Sequence, residues 1–182
     1  MKKLNFKDVF VPTLALFLIC AIVTALLAVT NNATAPMIAD IQKKNQDEAC
    51  KTVLPAASAF QESEIEYNGN KYTFYLGSDA EGATVGCVII TTAKGYGGDI
   101  SVMTGIAISG EVTGVQILSM NETPGLGANA KKDSFLSQYT GKSSELKVKK
   151  DGGDIDSLTG ATITSRAVTA AVSEAIAIHD SI

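Results

Sequence analysis

Apolar and polar positions divide this chain into stretches of different period. Residues 9–29 carry no charge and little that is polar. As a helix rising about 1.5 Å per residue they span about 30 Å, the thickness of a bilayer's hydrocarbon core. Pro12 falls in the first turn, where its missing N–H costs little. The pattern predicts a transmembrane helix over 9–30. After a polar exit at 31–35, Pro36 opens a second helix to about residue 52. Ile38, Ile41 and Ala49 lie on its loose apolar face, and Pro55 stops it.

The period then changes to two. Residues 61–66 are polar and read as a loop leading into a hairpin. Its turn signal is Asn68-Gly69-Asn70, and Tyr72, Phe74 and Leu76 alternate beyond it. Residues 84–92 form a β-branched run with Val85, Cys87, Ile89 and Thr91 on one face. Runs at 99–109 and 112–120 follow, divided by Gly95-Tyr96-Gly97-Gly98 and by Gly110-Glu111. These three predict adjacent antiparallel strands. Residues 129–139 read as a short helix with Phe135, Leu136 and Tyr139 inward, and Leu146 and Val148 as a late strand. A final helix over 164–178 carries the stripe Ala167, Val168, Ala171, Val172, Ala175 and Ile176. Strands grouped between helices predict an α+β fold with an antiparallel sheet flanked by helices.

A cleaved signal peptide competes for the first segment, but the apolar run exceeds a typical signal core. Ala33-Thr34-Ala35 resembles a cleavage site, yet Pro36 makes the following bond a poor one. Bulky Ile19 before Cys20 argues against a lipoprotein. Lys2, Lys3 and Lys7 precede the helix, while Lys43 and Lys44 follow at a distance. This modest bias places residues 1–8 in the cytoplasm and the later domain outside. The expected organisation is a cytoplasmic start at 1–8, a span at 9–30, a helical connector at 31–60 and one domain at 61–182.

Composition narrows the chemistry. The net charge of −4 over 182 residues, without a basic patch, argues against nucleic-acid binding. No two of Cys20, Cys50 and Cys87 have metal-site spacing, and the sequence leaves a Cys50–Cys87 pairing open. His179 is the single histidine and is expected to be exposed near the chain end. It offers no Ser-His-Asp triad or histidine-based metal site. Asp154 and Asp156 read as solvated loop residues rather than an acid–base pair.

Three segments remain. Asp156-Ser157-Leu158-Thr159-Gly160-Ala161-Thr162-Ile163-Thr164 sets hydroxyls on a glycine turn just before the last helix. A helix start attracts phosphate through its unpaired N–H groups and its dipole. The same residues also suit a plain cap by Thr164 or Ser165. Asn121-Glu122-Thr123-Pro124-Gly125-Leu126-Gly127 is by itself a Pro-Gly turn. Lys94-Gly95-Tyr96-Gly97-Gly98-Asp99-Ile100 is by itself a flexible hairpin loop.

Taken together, these segments resemble the FMN-binding domain shared by the G subunit of Rnf ion-translocating electron-transport complexes and the C subunit of Na+-translocating NADH:quinone reductases. The family's attachment motif runs Asp, two variable residues, Ser or Thr, Gly, Ala, Thr, any residue, then Ser or Thr. Asp156, Thr159, Gly160, Ala161, Thr162 and Thr164 match it, with Thr159 where serine is commoner. The resemblance implies FMN joined covalently to Thr162 through a phosphoester. The cofactor-binding residues it implies are Thr159, Gly160, Ala161, Thr164, Glu122, Thr123, Gly125, Leu126, Gly127, Tyr96 and Gly97. Met120 stands where some members carry a histidine. The same resemblance implies a flavin transferase with FAD as donor, and membrane and iron–sulfur subunits as partners. It implies an electron-carrying subunit of a redox-driven ion translocase in the cell membrane, with no catalytic residue and no metal of its own. The compact chain favours the Rnf type. The quinone-reductase subunit and an anchored module holding a phosphate ligand non-covalently are the alternatives.

Overall fold

The computed structural model describes the backbone of residues 6–182, and their side chains except at 6–9, 36 and 39–45. Lys2 and Lys3 lie outside the described residues, as do the side chains of Lys7, Ile41, Lys43 and Lys44. The chain divides into two units, residues 1–45 and 46–182.

The first unit contributes most of α1 (Phe6–Val53). Within it, Phe10–Ala35 is long and apolar enough to cross a membrane, with a mean hydropathy of 2.6 and no side chain buried within the chain. The expected break at 31–35 does not occur, and one helix replaces the predicted two. Thr30 and Thr34 turn their hydroxyls back onto the Leu26 and Thr30 carbonyls, each at 2.9 Å, which gives these two polar groups partners within the continuous helix.

The second unit is a five-stranded antiparallel meander in the order β1 (Ala59–Tyr67), β2 (Asn70–Ser78), β3 (Thr84–Lys94), β4 (Asp99–Ala107) and β5 (Val112–Ser119). The polar residues at 61–66, expected to loop, form most of β1. As an edge strand it needs only one buried neighbour, so Glu62, Glu64 and Glu66 face water while Ile65 and Tyr67 pack inward. Asn68 (φ 50°) and Gly69 (φ 77°) are both left-handed, as a two-residue hairpin turn with the strands' own twist requires.

Each face of the sheet carries a layer. On one lies α3 (Thr162–His179), which seals Ile89, Ile100, Val102 and Ile106 under the predicted stripe. On the other lies the end of α1, where Ala49, Cys50, Val53 and Leu54 cover Tyr75, Val88 and Met103. This second layer depends on two paired glycines, Gly105 of β4 and Gly114 of β5. A Cβ on Gly105 would stand 2.2 Å from the Val53 carbonyl oxygen, which also accepts a hydrogen bond from the Thr113 hydroxyl. Val85 packs on the α1 side rather than with Cys87, because the β2–β3 register shifts by one residue beside it.

Beyond β5 the expected helix over 129–139 is broken into short turns: a 3-10 turn at Gly127–Lys131, α2 (Asp133–Leu136) and another 3-10 turn at Ser137–Tyr139. Lys132 is extended (ψ 140°) and interrupts the run. Phe135, Leu136 and Tyr139 are buried as predicted, and the Tyr139 hydroxyl meets that of Thr169 at 2.9 Å. The late strand shrinks to one parallel bridge, Val148 to Ile155. The chain reverses through Gly152-Gly153 directly after a 3-10 turn at Lys149–Asp151, which leaves no room for a ladder. Leu146 and Val148 still enter the core.

Cys50 and Cys87 belong to cores on opposite faces of the sheet and are free thiols. Burial pushes both up to about 11, with Asp47 adding to the effect at Cys50. His179 is half-buried rather than exposed.

Candidate functional site

The three glycine-bearing segments meet at the start of α3. They wall a cavity of about 560 Å³ lined by Tyr96 from the β3–β4 loop, Glu122, Thr123, Leu126 and Gly127 from the turn after β5, and Gly160, Ala161, Thr162, Ile163 and Thr164. Lys150 completes the wall. Cavities of this size are typical of small-molecule and cofactor sites.

Glu122 joins the segments. One carboxylate oxygen accepts the backbone N–H groups of Tyr96 (2.8 Å) and Gly97 (3.0 Å). The other accepts the Thr164 hydroxyl at 2.8 Å. Glycine makes this crossing possible. A Cβ on Gly95 would lie 2.3 Å from one Glu122 oxygen, and one on Gly127 would lie 2.5 Å from the other. Both glycines leave the space that the Glu122 carboxylate fills. The turn before them is real: Leu126 N–H bonds the Thr123 carbonyl (3.2 Å), with Gly125 at φ 78° after Pro124.

The start of α3 has no side-chain cap, and Ala161 occupies the cap position. Thr164 is turned to Glu122 instead. The Ser165 hydroxyl donates to the Ala161 carbonyl (2.9 Å) and accepts the Leu158 N–H (2.9 Å), which fixes the approach to the helix. The plain-cap alternative for Thr164 or Ser165 therefore does not describe this site. N–H groups at an uncapped start favour an anion.

Thr162 is half-buried, and its hydroxyl accepts a hydrogen bond from the Lys150 ammonium at 2.9 Å. One residue on, Asp151 receives both Nε and a terminal nitrogen of Arg166, at 2.7 and 2.6 Å. The Arg166 hydrogen bonds hold the Asp151 carboxyl below its ordinary value.

Of the residues expected to bind a cofactor, Gly160, Ala161, Thr162, Thr164, Glu122, Thr123, Leu126, Gly127 and Tyr96 line the cavity. Thr159 and Gly125 lie beside it in the two turns, and Gly97 reaches it only through its N–H to Glu122. Asp156 of the motif is outside, paired with Lys149 at 2.8 Å. Lys150 and the exposed Ile163 were missed as site residues. Lys150 sits in a lysine pair with no periodic or glycine signal, twelve positions before the threonine it touches.

This α+β domain, with its three segments gathered around an uncapped helix start, is of the FMN-binding class by its match to a family model. The family model described as an FMN-binding domain matches residues 95–177, which contain all three segments except Lys94. The chain is 35% identical to the G subunit of the Na+-translocating ferredoxin:NAD+ oxidoreductase complex of Acetobacterium woodii, over 99% of this chain and 96% of that one. It is 35% identical to the G subunit of the proton-translocating ferredoxin:NAD+ oxidoreductase complex of Clostridium ljungdahlii, over 93% and 91%. With the G subunit of the ion-translocating oxidoreductase complex of Escherichia coli it shares 32% over 90% and 86%. The chain belongs to this G-subunit family. Among solved structures it is similar in fold to the C subunit of the Na+-translocating NADH-quinone reductase of Parabacteroides distasonis. The TM-score is 0.55 at 15% identity, covering 77% of this chain and 94% of that one. NqrC of Shewanella oneidensis gives 0.51 at 22%, with 66% of each chain covered.

Proposed function

We propose that this chain is the membrane-anchored FMN-carrying subunit of an Rnf-type ion-translocating ferredoxin:NAD+ oxidoreductase, with the FMN joined to Thr162 by a phosphoester. The observation that carries this reading is the placement of the Thr162 hydroxyl. It lies at an uncapped helix start, against a lysine ammonium, on the rim of a cofactor-sized cavity.

The residues fit the group. The helix N–H groups and Lys150 suit a phosphodiester anion. Tyr96, Leu126 and Ile163, all exposed at the cavity, offer aromatic and apolar surface to a flat ring. Gly160, left-handed at φ 75°, turns the chain so that Thr162 opens the helix. Glu122 has its carboxylate engaged by three donors, so it braces the cavity's walls. FMN, when bound, supplies the redox chemistry, and the protein supplies position and electrostatics. Electron relay asks for no general base.

Attachment is assigned to a separate flavin transferase using FAD, because Thr162 has no histidine beside it to activate its hydroxyl. The span at Phe10–Ala35 serves as a retained anchor, with residues 1–8 cytoplasmic and the FMN domain extracytoplasmic. The other membrane and iron–sulfur subunits of such a complex are its partners.

A fluorescent band on a denaturing gel, lost in Thr162→Ala, is the expected result. The tryptic peptide ending at Arg166 should carry the added mass of FMN. Fluorescence that survives denaturation in Thr162→Ala would refute the attachment site. Protease added to intact spheroplasts should reach Lys131-Lys132, and protection there would reverse the sidedness.

A further inference from the structure

We propose that Lys150 is the positioning residue for the Thr162 phosphoester. Its ammonium orients the acceptor hydroxyl during attachment and neutralises the diester afterwards. This rests on the flavin reading above and adds a residue to it.

Two contacts build the arrangement. Lys150 and Asp151 are neighbours in one 3-10 turn, and Thr162 and Arg166 are four apart on α3, so both pairs face each other. Lys150 donates to the Thr162 hydroxyl at 2.9 Å, and Arg166 grips Asp151 through two nitrogens. A lysine stem is flexible and loses rotamer freedom when it is ordered. The two-point Arg166–Asp151 contact fixes the backbone beside it, which restricts where the ammonium can go. Among the described residues, no other cationic side chain lines the cavity. Lys149 is engaged by Asp156 and Lys142 by Asp154.

The chemistry needs this charge. In the transfer, the Thr162 oxygen forms a bond to the flavin-side phosphorus of FAD, and the anhydride P–O bond to the adenylate breaks. AMP leaves, and the hydroxyl proton passes to the transferase or solvent, with no change of oxidation state. An ammonium on the attacking oxygen directs its proton away from Lys150 and favours the alkoxide character that develops. The product keeps one negative charge at that position, within reach of the same ammonium.

The test is the initial rate at which purified full-length chain becomes fluorescent on a denaturing gel when mixed with a flavin transferase and FAD. Lys150→Gln should slow labelling about 10- to 100-fold, the scale of one hydrogen bond to a charged group. Lys150→Arg should restore it to within about threefold, since Arg also donates to phosphate. Lys147→Gln makes the same charge change on the same loop at a lysine that pairs with Glu145, and should stay within about twofold of wild type. Lys150 is exposed, so matched melting temperatures will separate a lost fold from a lost contact. Equal labelling rates for wild type and Lys150→Gln overturn the proposal alone. A wild type that never labels fails the covalent reading and the proposal with it. Slowing that Lys150→Arg does not relieve also counts against a charge-based role.

Discussion

Replacing Glu122 with alanine tests whether one carboxylate holds the cavity together. The change removes the acceptor for the Tyr96 and Gly97 N–H groups and for the Thr164 hydroxyl. The two amides lie in an exposed loop and regain water, so their loss costs little. Thr164 is only 1% exposed and cannot. A buried hydroxyl left unpaired costs about 1–3 kcal/mol, and each hydrogen bond to a charged group contributes about 1.5–3 kcal/mol when made. Allowing for the rehydrated loop, we expect Glu122→Ala to destabilise the second unit by about 2–4 kcal/mol, or roughly 10 °C in Tm. Glu122→Gln should cost about 1 kcal/mol, because its amide oxygen still accepts from the loop and the Thr164 hydroxyl can rotate to accept from its NH2. All five tyrosines lie in residues 46–182, so the near-UV tyrosine signal of the detergent-solubilised chain reports that unit without interference from the apolar helix. A Glu122→Ala melting temperature within about 2 °C of wild type would refute the brace.

Gly127→Ala should destabilise by about 1–3 kcal/mol on the same assay, because its methyl group would press on Glu122 and Thr164 together. Gly105→Ala should cost at least as much by pushing Val53 off the sheet, and should increase proteolysis between α1 and β1. Alkali gives a signed test. The thiols of Cys50 and Cys87 sit near 11 in the fold and 9.0 in a free chain. Both folded values are raised, so their contribution is intact below pH 9 and is lost as pH rises from 9 to 11. Urea midpoints should fall across that window, and fall less steeply in Cys50→Ala/Cys87→Ala.

Much of this was legible because it rests on strong local signals. Three β-branched runs between glycine breaks could hardly be anything but a meander, and the stripe on α3 matched its burial position by position. The failures have physical causes. β1 is an edge strand whose polar residues look like a loop, because only its partner reveals which face is buried. The helix runs on through residues 31–35 with the Thr34 hydroxyl bonded back to its own backbone, which composition does not show. The segment at 146–155 has strand-like residues but reverses too soon to pair. At the site, the glycine motifs announced the walls. Neither the role of Glu122 as their common acceptor nor the approach of Lys150 is written in local spacing, since each depends on contacts across 12 to 42 positions of chain.

The free edge of β1 carries a further implication. Anchored proteins move in two dimensions, where copies collide far more often than in bulk water. An open strand edge is a template for another strand, and such collisions invite stacking. Three glutamates spaced at every second position along that edge make each approach of like to like repulsive. For a domain tethered at a bilayer, that repulsion would work against polymerisation through its own sheet.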